Sequence, residues 1–196
     1  MSWNRKQSSE EGGIRPPVVA GKFYPADPRV LRTAVEKFLA DAAPVQVKDV
    51  VALVAPHAGY IYSGQIAADA FRQAAGGGYE LVVLLGTNHT RPNYRQIGLH
   101  PGAGFRTPLG VAAVDQEAVS ALIAADPECV RDTTVHEREH SVEVQVPFVQ
   151  VLFPEAKIVP AVVGEADPGL CRRFGEALGV VLRDRRALVV ASSDLS

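Results

Sequence analysis

Short, wholly apolar runs alternate along the chain with longer segments in which apolar residues recur every three or four positions. The runs are typical of strands covered on both faces of a sheet, and they lie at 50–55, 81–85, 158–163 and 187–191. The segments with helical spacing lie at 28–39, 64–75, 116–125 and 168–183. Strand and helix in alternation predict an α/β fold. We expect a single domain with a mostly parallel sheet covered by helices.

Two regions have a less regular pattern. Residues 97–99 and 110–114 are weaker extended segments on either side of a loop containing glycine and proline at 101–108. Residues 141–153 begin by alternating valine with polar residues, as in a strand. Pro147 and the neighbouring glutamate and glutamine also suit the first turns of a helix, and we favour the helix.

The two ends of the chain differ from its interior. Residues 1–13 are polar and mixed in charge, without the apolar core of a secretory signal, and predict a disordered leader before a domain at 14–196. The sequence ends at Ser196, just beyond the last predicted strand, where an α/β domain usually continues with a covering helix. We therefore expect the C-terminal part of the domain to be missing.

Composition restricts the possible partners. The 196 residues include 20 basic and 22 acidic side chains, for a net charge of −2, so the chain has no basic excess that would indicate nucleic-acid binding. Its apolar runs are too short to span a membrane. Cys129 and Cys171 form neither a disulfide framework nor a CxxC pair. We expect a cytoplasmic protein without a nucleic-acid or membrane partner.

Three predicted strands are followed by residues that bind metals. His57 follows the first long strand, His89 the second and Asp194 the last. Ligands of open α/β sheets bind beyond the carboxyl ends of the strands, so we expect the three side chains to lie close together. Two histidines and a carboxylate can hold iron, zinc or copper and leave positions open for water or substrate. A single histidine at a strand end is more often a hydrogen-bonded loop residue, but two at equivalent places make a metal site an equally good interpretation.

Other polar residues lie near the same edge. The run at 136–140 reads His-Glu-Arg-Glu-His, which has the form of a zincin motif but precedes the predicted helix instead of lying on one. We favour a role for Glu139 or His140 in the pocket, and an exposed charged turn is an equally good interpretation. Tyr60 and Ser193 border the strand ends and could contact a substrate, although aromatic residues there often only pack. A hydrolase serine is disfavoured because the sequence has no Gly-x-Ser-x-Gly elbow.

Several of these residues stand in segments that resemble the Memo family, also called AmmeMemoRadiSam system protein B in prokaryotes. The segments are AGKFYP at 20–25, APHAGY at 55–60, LGTNH at 85–89, FRTPLG at 105–110, EHSVE at 139–143 and SSD at 192–194. They occur in the family's order and cover nearly the whole chain. The resemblance implies a fold like that of class III extradiol dioxygenases, non-haem iron enzymes that open catechol rings.

The resemblance also implies roles for individual residues. The positions of His57 and His89 are pocket histidines in Memo-like proteins, to which iron or copper binding is attributed, and the position of Asp194 lines the same pocket. A histidine shortly after that aspartate and a later cysteine ligand have no counterpart in this sequence. We expect His57, His89 and Asp194 at the metal, His140 as a catalytic acid–base group, and Tyr60, Glu139 and Ser193 at the substrate.

Three functions remain open at this point. The first is metal-dependent redox chemistry of the extradiol dioxygenase type. The second is a binding module without turnover, whose pocket takes a small molecule, a phosphotyrosine-like peptide or a protein, with partners in a modification system associated with radical SAM enzymes. The third is a metal-independent remnant that exposes an apolar sheet edge.

Overall fold

A six-stranded sheet and a three-stranded sheet form the framework of the computed structural model, which describes residues 13–165 and 167–194. Most of the predicted leader at 1–13 therefore lies outside the described residues. The strands are β1 Ile14–Arg15, β2 Ala52–Ala55, β3 Leu81–Thr87, β4 Ile97–Leu99, β5 Gly104–Thr107, β6 Gly110–Ala113, β7 Cys129–Arg131, β8 Lys157–Val163 and β9 Ala187–Ser192. The helices are α1 Pro28–Asp41, α2 Tyr60–Gln73, α3 Gln116–Ala125, α4 Val146–Leu152 and α5 Pro168–Val181.

The large sheet has the strand order β2-β9-β3-β8-β4-β7. Each neighbouring pair is parallel except β4 and β8, which are antiparallel. The small sheet has the order β1-β5-β6. The predicted single α/β domain with a mostly parallel, helix-covered sheet is confirmed.

Local sequence chemistry sets three helix starts. The side chains of Asp27, Asp115 and Asp167 accept hydrogen bonds from the first backbone N–H groups of α1, α3 and α5, groups that otherwise have no partner within the helix. Pro28 and Pro168 occupy the first helical positions, where proline loses no helical hydrogen bond. Helix α2 differs from the prediction, because it begins at Tyr60 instead of near residue 64.

The centre of the sheet contains the predicted buried strands. In β3 and β8 most residues are buried, as expected for parallel strands with helices on both faces. Strand β2 was also predicted to be covered on both faces, and that prediction is wrong. It is an edge strand paired only with β9 among the described residues, and Val51 and Val54 are 75% and 53% exposed.

One further difference comes from long-range pairing. The predicted loop at 101–108 contains β5, which pairs with β1 from the N-terminal region and with β6. The local sequence of this glycine- and proline-containing segment does not indicate strand partners that lie far away in the chain. The ambiguous segment at 141–153 is helical, as favoured, with a 3-10 turn at Glu143–Gln145 that leads into α4. Val142, Val144, Val146 and Val149 of this segment are buried.

Within the described part of the chain, no helix combines the length and the apolar character that a membrane crossing needs.

Candidate metal site

Three histidine rings meet beyond the carboxyl ends of β2 and β3. His57 and His89 each lie two residues beyond the end of their strand, and β9 separates the two strands in the sheet. His140 comes from the loop before the 3-10 turn. The ring centroid of His57 lies 5.2 Å from that of His89 and 5.6 Å from that of His140. The rings of His89 and His140 stack with their centroids 4.8 Å apart. One nitrogen from each ring lies within 4.8 Å of the others.

The ring of His57 is buried and hydrogen-bonded on one side only. Its Nδ1 lies 3.1 Å from the hydroxyl oxygen of Ser192, whereas its Nε2 has no hydrogen-bond partner among the described residues. Burial lowers the pKa of His57 below its usual value, partly offset by the nearby carboxylate of Asp194. The ring is therefore neutral at physiological pH and has a lone pair available on one nitrogen.

The carboxylate of Glu139 holds His89 from behind. Its Oε1 lies 2.9 Å from His89 Nδ1, and its Oε2 accepts the backbone N–H of His89 at 2.7 Å. Oε1 also accepts the N–H groups of His140 and Ser141. Burial alone would raise the pKa of Glu139, but the hydrogen bonds from His89 and Ser141 lower it below its usual value. The charged carboxylate therefore orients Nδ1–H of His89 towards itself and leaves Nε2 free.

Replacing Glu139 with glutamine is expected to weaken metal binding by about 10- to 100-fold. The amide nitrogen of glutamine would face N–H groups that now donate to the buried carboxylate. The ring of His89 and the backbone of His140 would therefore lose their fixed positions. Titration of the metal-free protein with Zn²⁺ measures the change. Glu137→Gln is the matched control, because Glu137 is exposed. Equal affinity in Glu139→Gln and wild type would contradict this role.

His140 completes the cluster under an aromatic cover. Its Nδ1 lies 3.5 Å from Glu139 Oε1, and the edge of the Phe23 ring packs against it with centroids 4.8 Å apart. Burial lowers its pKa, although Glu139 opposes the shift. His140 therefore lies in the pocket, and its ring belongs to the set of three that a metal ion could share. Its predicted role as a catalytic acid–base group stays a prediction.

Asp194 lies beside the cluster on the solvent side. Its Oδ1 accepts the backbone N–H of His57, and its Oδ2 lies 3.6 Å from His57 Nε2. The side chain is 54% exposed. The structure thus brings Asp194 next to His57, as expected, and its predicted role as a metal ligand stays a prediction.

The two remaining candidates occupy different positions. Tyr60 is buried, its hydroxyl donates to the carbonyl of Val144, and its ring packs against Tyr24 and Phe148. The backbone N–H of Ser193 donates to the carbonyl of Ala55, which continues the pairing of β9 with β2. No contact with the three histidine rings is described for either side chain, and their predicted roles at a substrate stay predictions.

The donor set fits a transition metal. Three imidazoles converge, two of them are held through Nδ1, and a buried Nε2 lacks any described partner. Neutral imidazole suits iron, copper and zinc, whereas magnesium and calcium prefer oxygen ligands.

Comparison with known proteins shows which family the chain belongs to. The family model described as Memo-like protein matches residues 15–196. The chain belongs to the Memo family. MEMO1 family proteins of Thermotoga neapolitana and Methanopyrus kandleri are 37% and 39% identical to it, each across 93% of this chain and 70% and 68% of their own length. One from Aquifex aeolicus is 39% identical, across 93% of this chain and 67% of its own.

In this Memo family chain the zincin-like run is divided between two places. His140 joins the cluster, whereas the Nε2–H of His136 donates to the carbonyl of Gly98, and its ring packs 5.2 Å from the buried ring of His100. The run is not on a helix, so the two histidines cannot act as a zincin pair. Only the second of them, His140, lies in the cluster of three histidines.

Sequence reasoning missed two residues beside the histidine cluster, Ser192 and Gln145. Ser192 is buried and contacts His57, whereas the neighbouring Ser193 was the candidate. A signal existed, since Leu188, Val190 and Ser192 alternate as the buried face of β9. Gln145 donates to Ser192 and to the carbonyl of Pro56, a long-range contact without a local sequence signal.

Proposed function

We propose that this Memo family protein binds a redox-active metal, iron or copper, at His57, His89 and His140, and that the site supports oxidoreductase chemistry of the extradiol dioxygenase type. The observation that carries the proposal is the convergence of three histidine nitrogens within 4.8 Å of one another. The unpartnered Nε2 of His57 supports it, because a buried ring nitrogen without a partner is costly unless something binds it.

The protein's own residues would divide the work. His57, His89 and His140 would hold the metal, and the metal would supply binding and activation of dioxygen and substrate. Glu139 holds the ring of His89 at its Nδ1 and the backbone of His140 at its N–H. Asp194, half exposed beside His57 Nε2, would accept a proton from a bound hydroxyl group or complete the ligand set.

Metal content is the first test of this proposal. Tag-free protein purified anaerobically should contain iron or copper near one equivalent, and the His57→Ala, His89→Ala double variant should lose it. His100→Asn is the matched control, because it removes a buried imidazole outside the cluster. Folded wild-type protein that binds no added iron, copper or zinc, or a double variant that binds them equally well, would overturn the proposed site.

Oxygen uptake with catechol substrates tests the redox part separately. Uptake should depend on bound metal and should be lost in the double variant. Bound metal without uptake across a series of catechols would keep the metal site and overturn the extradiol chemistry, leaving a binding pocket without turnover.

A further inference from the structure

Behind His57 lies a small network of buried polar groups. Ser192 Oγ contacts three groups: Nδ1 of His57 at 3.1 Å, the amide nitrogen of Gln145 at 2.7 Å and the carbonyl oxygen of Ser141 at 2.6 Å. Ser192, Gln145 and Ser141 are all buried. Their protons can therefore be assigned by accounting for donors and acceptors.

The accounting leaves one arrangement in which every contact has a proton. The carbonyl of Ser141 only accepts, so the single hydroxyl proton of Ser192 must point to it. The amide nitrogen of Gln145 donates to Ser192 and also to the carbonyl of Pro56, which excludes the flipped amide because two acceptor oxygens would then face each other. Ser192 Oγ can thus only accept from His57, and the proton of His57 lies on Nδ1.

We propose that Ser192, oriented by Ser141 and Gln145, is a positioning residue that fixes His57 in the Nδ1–H tautomer. The lone pair of Nε2 is thereby directed into the cluster. The role of this tautomer in metal binding rests on the proposed function. The tautomer itself is a property of the metal-free protein.

The same network reaches the second histidine. The backbone N–H of Ser141 donates to Glu139 Oε1, which in turn holds Nδ1 of His89. A continuous path of hydrogen bonds therefore joins Nδ1 of His57 to Nδ1 of His89 through Ser192, Ser141 and Glu139. Because one hydrogen-bond network orients both rings, we expect a change at Ser192 to alter the orientation of both.

The tautomer can be measured directly by NMR. In metal-free protein labelled with ¹⁵N-histidine, at mildly alkaline pH where the rings are neutral, long-range proton–nitrogen correlations should show protonated Nδ1 and unprotonated Nε2 for His57. In Ser192→Ala the proton should move to Nε2, because Nδ1 has lost its acceptor. Ser192→Thr retains a hydroxyl and should restore the wild-type pattern, and Ser120→Ala, which removes an exposed hydroxyl on α3, is the matched control.

Zinc affinity measured on the same proteins gives the second readout. Ser192→Ala should bind Zn²⁺ about 10- to 100-fold more weakly than wild type, while Ser192→Thr and Ser120→Ala should stay close to it. Protonated Nε2 in the wild-type protein, or an unchanged tautomer in folded Ser192→Ala, would overturn the inference. The wild-type spectrum decides even if the alanine variant does not fold. The expected tautomers in a wild-type protein that binds no metal would instead refute the proposed function alone.

Discussion

Replacing Glu143 with alanine is expected to lower the free energy of unfolding by about 3–5 kcal/mol. Glu143 is fully buried and forms a 2.7 Å ion pair with Arg15. It also accepts the hydroxyl of Tyr24 at 2.6 Å and the backbone N–H groups of Val18 and Val19 at 3.0 Å. Its removal leaves the guanidinium of Arg15 buried without its charged partner, and leaves three donors unsatisfied.

Chemical unfolding followed by circular dichroism measures this effect. Glu137→Ala is the matched control, since an exposed glutamate should change the free energy of unfolding by at most about 0.5 kcal/mol. A loss in Glu143→Ala below about 1 kcal/mol would show that the N-terminal segment contributes little to the fold. Arg15 also donates to the carbonyl of Glu139, so the same variant should weaken metal binding as well as stability.

Lowering the pH from about 6.5 to about 4.5 is expected to destabilise the protein by several kcal/mol through two histidines outside the metal site. Burial lowers the pKa of His100 to about 4 and that of His136 to about 3, and the nearby Arg15 adds to both shifts. In the unfolded chain both would titrate near 6.5. The unfolded state therefore binds more protons throughout this range, and stability must fall as the pH falls.

The expected slope is on the order of 3 kcal/mol per pH unit once both unfolded histidines are protonated, at about 1.4 kcal/mol per proton. His57 and His140, whose pKa values are also lowered, add in the same direction. The free energy of unfolding as a function of pH tests this, and His100→Asn should reduce the slope by about one proton. Stability that stays constant between these pH values would contradict the burial of neutral rings.

The sequence was most informative where one segment decides the structure by itself. Capping aspartates followed by proline marked α1 and α5, and continuous apolar runs marked β3 and β8. Strand β5 was missed because its pairing with β1 joins residues that are about 90 positions apart. The exposure of β2 was missed because an apolar run looks the same at the edge of a sheet and at its centre.

The site followed the same rule. His57 and His89 could be placed together because two strand ends of a parallel sheet meet at one edge. Glu139 could be placed near them, but its role in holding His89 depends on the loop conformation. Gln145 could not be found at all, since it reaches Ser192 from a turn that the sequence left between helix and strand.

The exposed edge strand β2 also determines how firmly the cluster is held. His89 follows the fully flanked β3, whereas His57 follows β2, which has one hydrogen-bonded neighbour among the described strands. Opening of β2 alone would break fewer contacts than opening of β3 and would cost less free energy. One ligand of the cluster is therefore attached to the more labile end of the sheet. A metal bound by both histidines would link the end of β2 to the end of β3 and would raise the free energy needed to open the edge strand.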